Sequence, residues 1–176
     1  RGLAMSQADT PALSASRILL SILRVLNILM GVGLVLAMPA SFVFEPTFFE
    51  FFSKKPPRID PSLLIPTLRV WFVLALLMVA LVHVQLTRLL AVVATVHDDP
   101  FVPENAVRLK TIAWCMLGIE VLRLTFGMLA GTMNAAGSNI EWKFSASGWV
   151  AVVLLFVLAQ VFEAGTRMRA DLRTMI

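Results

Sequence analysis

Four long apolar runs dominate this chain: Ile18–Phe44, Leu68–Val96, Ile112–Ala136 and Ala146–Phe162. A helix needs about 20 mostly apolar residues to cross the hydrocarbon core of a bilayer. Each run meets or nearly meets that length, so lipid is the solvent the chain is built for. The predicted fold is all-α, an integral membrane four-helix bundle. The runs take up more than half of the chain, which leaves too little for a soluble domain. A mobile tail over residues 1–15 is expected, followed by a single transmembrane domain over 16–176.

The chain opens Arg1-Gly2-Leu3-Ala4-Met5, and Met5 is read as the native start. The first run is too long for a signal-peptide core and is not followed by a clear small-residue cleavage site. It is therefore kept as a helix of the mature protein.

Hydrophobic residues make up 59% of the sequence, against about 45–50% in soluble domains. The net charge of +4 then points to membrane topology and not to direct nucleic-acid binding, because basic residues gather at cytoplasmic ends. Arg1, Arg17, Arg88, Arg108, Lys110, Arg167, Arg169 and Arg173 fall on one side. Lys54, Lys55, Arg58, Arg69 and Lys143 oppose them on the other. The excess places both termini and the 97–111 loop in the cytoplasm.

The first helix is expected over about Ser14–Ala40, with Pro39 loosening its outer end. Pro66 suits the first turn of the second helix, which runs on to about His97. Between them lies the longest loop. Its Phe48-Phe49-Glu50-Phe51-Phe52 segment either lies flat on the outer interface, where aromatic rings are favoured, or folds over the bundle mouth. The turn-rich His97–Pro103 connection leads into a third helix that ends near Asn134, with Glu104 favourably placed at its N-terminus. Asn134–Ser145 reads as a polar outer loop, with Trp142 and Trp149 as interfacial anchors. The fourth helix continues past Phe162 to about Arg169.

Ionisable groups inside a span cost about 2.5–3.5 kcal/mol on insertion scales, so each needs a partner or a use. Glu120 and Arg123 are neighbours on one helical face. The plainer reading is an ion pair that neutralises both; the functional one is a polar site inside the bundle, with Glu120 as its titrating member. Arg24 and Asn27 share a face of the first helix. Arg24 either snorkels to the inner surface or meets a carboxylate. His83 reads as a hydrogen-bonded packing residue, and these five form the candidate intramembrane polar set. His97 lies about 21 Å further along the same helix, too far to share one haem with His83. No His, Cys, Asp or Glu cluster has metal-site spacing, so no metal or cofactor is expected. Lone Cys115 reads as a buried, inert thiol. Gly127 and Gly131 form a G-x-x-x-G that permits close helix approach. No nucleophile elbow, P-loop or dinucleotide fingerprint is present, and the chain is read as non-enzymatic.

Two segments carry a resemblance. Asp99-Pro100-Phe101-Val102-Pro103-Glu104-Asn105-Ala106 runs on through Arg108 and Lys110 to Trp114, and Val161-Phe162-Glu163-Ala164-Gly165-Thr166-Arg167-Met168-Arg169 to Leu172. Together they resemble a family of small bacterial four-span membrane proteins of unknown function. That family shows a "P-F-x-x-E-N-A-x-x-L-R-x-I" loop-to-helix signature and an "F-x-x-G-x-x-L-R-x-D/E" exit from the fourth helix. Lys110 stands where Arg is usual, and Met168 where Leu is usual. The resemblance implies a bacterial inner membrane and a Cro/CI-type helix-turn-helix regulator encoded nearby. It brings no catalytic residue.

These residues set the functional expectation. Asp99, Glu104, Asn105, Arg108, Glu163, Arg167 and Arg169 would share one cytoplasmic patch, with Glu104–Arg108 and Glu163–Arg167 as i,i+4 pairs. Such pairs stabilise helix ends by a few tenths of a kcal/mol; the patch would otherwise dock a soluble partner. The leading reading is a membrane sensor or regulatory protein acting through that regulator. The alternative is a small transporter or channel-like carrier using Glu120, Arg123 and His83. Four spans make a narrow path, so such a carrier would act as a homo-oligomer.

Overall fold

The computed structural model describes residues 11–47, 50, 61–95, 101–135 and 138–174. Residues 1–10 of the expected tail, most of the Phe48–Phe52 segment, Lys54, Lys55, Arg58, His97 and Asp99 lie outside these residues; residues 11–15 of that tail are helical. Four long helices account for almost all of the description: α1 (Pro11–Val43), α2 (Pro61–Thr95), α3 (Pro103–Ala135) and α4 (Ala146–Thr174). All four are long and apolar enough to cross a membrane.

Prolines mark the helix starts, and two of them depart from the sequence reading. Pro11, Pro61 and Pro103 each occupy a first helical position, where the missing N–H costs nothing and φ is preset. Pro66 does not open α2 but lies inside it, and Pro39 does not end α1. Pro66 is the sixth residue of α2, just past the unpaired first turn, so it forgoes one backbone hydrogen bond near the helix start. Beyond Pro39, Ser41 Oγ donates to the Met38 carbonyl at 2.6 Å and the helix runs on to Val43.

Side-chain contacts fix the register. Asn27 of α1 meets Val79 of α2, Gln85 of α2 meets Met116 of α3, and Trp114 of α3 meets Phe156 of α4. Nearer the ends, Arg69 meets Glu45 and Thr95 meets Asn105. Every pair pairs late with early, so neighbouring helices are antiparallel. The first residues of α1 and the last of α4 therefore share one end of the bundle. Packing follows chain order: α1 on α2, α2 on α3, α3 on α4. Leu109, Ile112 and Ala159 form a buried cluster, with Leu89, Leu155 and Phe162 packed against it.

α4 starts part-way along its neighbour. Gly148, in its first turn, lies against Glu120 near the middle of α3. About 22 Å of α3 stands beyond that level, at about 1.5 Å per residue. Residues 138–145 return along this length without helical structure. Asn134 holds the turn: its Oδ1 accepts from Ile140 N at 2.7 Å and Ser138 Oγ at 2.8 Å, and its Nδ2 donates to Ile140 O at 2.9 Å. The segment predicted as a polar outer loop is thus a return strap laid on α3.

Candidate functional site: a midplane carboxylate and an inner corner joined by helix α4

Glu120 is 2% exposed. Its Oε1 accepts from Arg123 Nη1 at 3.3 Å. The intrahelical pair is unequal, because the Glu120 side chain is buried and that of Arg123 is 44% exposed. The carboxylate rests on Gly148. A Cβ there would stand 2.0 Å from Oε1, 2.4 Å from Cδ and 2.8 Å from Oε2. Only a glycine leaves room for it. Gly148 also belongs to the first turn of α4, whose N–H groups and macrodipole favour negative charge. Glu120 therefore has a cation on one side and a positive helix end on the other.

The strap walls this site toward the outer end. Trp142 lays its indole on Gly127, where a Cβ would be 2.3 Å from Cε2, and donates from Nε1 to the Arg123 carbonyl at 3.2 Å. Gly127 and Gly131 were expected to admit a helix. Instead Gly127 admits a tryptophan ring, and nothing lies within 4 Å of where a Cβ on Gly131 would be. Trp142 anchors the strap to α3, about 18 Å short of the outer end of that helix. Beside it, Met78, Arg123, Phe126, Glu141, Trp142 and Lys143 line a cavity of about 510 Å³. Along α3, Glu120 is about 15 Å from Lys110, half of a hydrocarbon core about 30 Å thick. This vestibule thus lies beside Arg123, the ion-pair partner of the buried Glu120 carboxylate. Below it, Leu109, Ile112, Ala113, Val152 and Ala159 are buried and close the inner half.

The remaining members of the intramembrane set are elsewhere. Asn27 and His83 line a groove between α1 and α2. Arg24 is exposed on α1, with no carboxylate partner among the described residues. The five residues read as one polar set form two separate sites and a free-standing arginine. Cys115 is buried.

The inner corner is built from the two segments that carry the family resemblance. Phe101 packs on Phe162 with ring centroids 5.6 Å apart and lies over Gly165, where a Cβ would be 2.8 Å from its Cδ1. Asn105 was expected on the surface but is 0% exposed. Its Oδ1 accepts from Thr95 Oγ1 at 2.8 Å and from Arg108 Nη1 at 2.9 Å. Arg108 also donates to the Ala91 carbonyl at 3.2 Å. Arg108 thus turns to the last turns of α2 and not to Glu104. A carbonyl-rich helix end is a better partner than an exposed carboxylate, because the bonds made there are shielded from water. Glu163 and Arg167 do pair. With Lys110 they line a groove of about 340 Å³ between α3 and α4, and Glu104 is exposed nearby. Arg169 is half-buried further along α4.

At the outer end, Arg69 pairs with Glu45 at 2.9 Å and lies 3.8 Å over the Phe42 ring, clasping α1 to α2. Sequence reasoning counted Arg69 only as a topological charge. It missed Gly148 altogether and met Gly165 only as a letter of the fourth-helix signature, because a glycine's function lies in what packs on it. No group of three or more His, Cys, Asp and Glu residues could hold a metal ion among the described residues.

A family model described as "Protein of unknown function (DUF2975)" matches residues 6–176. The chain belongs to this family. The match covers all four helices, the strap and the inner corner, so these are features of one continuous family domain. No similar chain is found among the curated proteins, and none among the solved structures. Helices and family together make it a multi-pass membrane protein of a family without an assigned activity.

Proposed function

We propose that this chain is a non-enzymatic sensor or regulatory protein of a bacterial inner membrane, acting through a soluble cytoplasmic partner. In this reading both termini are cytoplasmic, in line with the excess of Lys and Arg at that end. One observation carries it: α4 is seated at both ends on other elements. Its first turn receives the Glu120 carboxylate, and about 26 Å further along Gly165 receives Phe101. A ligand or protonation event in the outer vestibule that moved Glu120 would bear directly on the start of α4. The other end of that helix lines the inner groove with Glu163 and Arg167. The resemblance to proteins encoded beside a Cro/CI-type helix-turn-helix regulator suggests the partner.

Co-purification of the full chain from membranes with that regulator tests the reading. Capture is expected, and Lys110→Glu with Arg167→Glu should abolish it. No capture, together with unchanged regulator targets when the gene is deleted, would sink the proposal.

A small carrier is the second reading, favoured by the polar vestibule beside Arg123, Glu141 and Lys143. The closed inner half of the α3–α4 interface weighs against a continuous path in one chain. Flux through proteoliposomes that Glu120→Gln abolishes would favour the carrier.

A further inference from the structure

We infer that the cavity beside the strap, lined by Arg123, Glu141 and Lys143, holds the headgroup of a zwitterionic phospholipid drawn down into the outer half of the bilayer. Helix α2 gives the depth of the site. Between Arg69 and Arg88 it carries no Asp, Glu, Lys or Arg, a length of about 28 Å that matches a hydrocarbon core about 30 Å thick. Arg69 therefore marks the outer edge of the core. Met78, which lines the cavity, lies about 14 Å inward of Arg69 along α2. Phe126, another lining residue, packs on Trp71 with ring centroids 6.3 Å apart, at a level about 3 Å inward of Arg69. The cavity thus spans the outer half of the core, yet three of its six lining side chains are charged.

The chain does not satisfy these groups by itself. Arg123 bonds to Glu120 through Nη1 and keeps its other donors free among the described residues. Glu141 and Lys143 are exposed and have neither a hydrogen bond nor an ion pair among the described residues. The backbone of Glu141, Trp142 and Lys143 likewise makes no hydrogen bond among those residues. Irregular backbone and unpaired charge do not face lipid tails; at this depth they line a polar space or are buried in protein. Polar matter must therefore enter the membrane beside the strap.

Charge and shape narrow the class. Arg123 and Lys143 are balanced by Glu120 and Glu141, so an ion of either sign leaves groups of its own sign unmet. A zwitterion serves both: a phosphate accepts from Arg123 and Lys143, whose side chains only donate, and an ammonium donates to Glu141. The volume of about 510 Å³ is within the range of small-molecule sites. Met78, Phe126 and Trp142 form the apolar part of the wall. Trp142 and Phe144 are 42% and 59% exposed, which offers acyl chains a surface beside the charges. A water-soluble zwitterion would leave that surface unused; a lipid occupies both parts. The bearing on signalling rests on the sensor reading above, since a phosphate that recruits Arg123 competes with its bond to Glu120. Binding itself needs no cytoplasmic partner, and the measurement below reads binding alone.

The test is native mass spectrometry of the full chain released from maltoside micelles, titrated with four probes. These are dioleoylphosphatidylethanolamine, dioleoylphosphatidylglycerol, which is anionic, dioleoylglycerol, which has no charged headgroup, and phosphoethanolamine, which has no tails. One saturable phosphatidylethanolamine adduct is expected. Phosphatidylglycerol should bind about tenfold more weakly, the ratio that one charge-assisted hydrogen bond produces, and the other two probes more weakly still. Lys143→Gln should weaken phosphatidylethanolamine binding about tenfold. Glu141→Gln should erase the preference over phosphatidylglycerol. Both residues are exposed on the strap without protein partners among the described residues, so the variants keep the fold. The inference is overturned by absence of a saturable adduct, by equal binding of the two phospholipids or of dioleoylglycerol to the parent, or by a preference that survives Glu141→Gln. Phosphoethanolamine binding as tightly as the lipid would overturn it too, by making the ligand a soluble one.

Discussion

Gly148→Ala is the sharpest probe of the midplane site, because two principles give it opposite signs. Alanine in place of glycine ordinarily favours a helix by up to about 1 kcal/mol. Here the new methyl would stand 2.0 Å from Glu120 Oε1 and 2.4 Å from its Cδ, far inside contact distance. Either the carboxylate leaves its seat or α4 moves away from α3. Overpacking of this kind costs roughly 1–3 kcal/mol. Displacing a buried carboxylate from a charged hydrogen-bond partner costs roughly 1.5–3 kcal/mol. The two costs overlap, since one displacement relieves the clash and breaks the bond. The expected net effect is a destabilisation of about 1 kcal/mol after the helix gain. Unfolding by sodium dodecyl sulfate titration in mixed micelles, followed by far-ultraviolet circular dichroism, reads it. The decisive comparison repeats Gly148→Ala in a Glu120→Ala background, where the methyl meets empty space and the substitution should become neutral or stabilising. A Gly148→Ala variant as stable as the parent would refute the seat, and so would an equal cost in both backgrounds.

Three further expectations follow from the same contacts. Asn105→Leu should destabilise by about 0.5–1.5 kcal/mol, because it removes the buried acceptor shared by the Thr95 hydroxyl and the Arg108 guanidinium, while the Ala91 carbonyl still accepts from both; the same titration checks it. Trp142→Phe keeps a ring on Gly127 but loses the bond to the Arg123 carbonyl, so a loss of about 0.5–1.5 kcal/mol and faster proteolysis within residues 138–145 are expected. Cys115 is the single cysteine of the chain and is buried; a maleimide should label it in sodium dodecyl sulfate and leave the folded protein in mild detergent unmodified.

The four helices were legible because lipid imposes a length rule on apolar runs that needs no tertiary information. Their ends were less legible. A proline reads as a boundary, yet Pro39 and Pro66 are carried inside helices that run on past them. The strap was hidden for a different reason. Ile140-Glu141-Trp142-Lys143-Phe144-Ser145 alternates apolar and polar residues, but nothing local says that it turns back along α3. The Glu120–Arg123 pair could be read from spacing alone; its seat could not, since Gly148 is distant in sequence. Asn105 was misplaced through the company it keeps between charged residues. Its periodicity held the signal: Asn105, Leu109 and Ile112 fall on one helical stripe, and all three are buried.

The order of packing bears on how the molecule comes together. Each helix makes its helix–helix contacts with the neighbours before and after it in the chain. Each span after the first therefore finds one of its partners already resident in the lipid. Only α1 must wait for its first partner, and truncation after any hairpin would leave the earlier pairings intact. Growth by accretion at one edge suits a protein delivered to its membrane from the N-terminus onward.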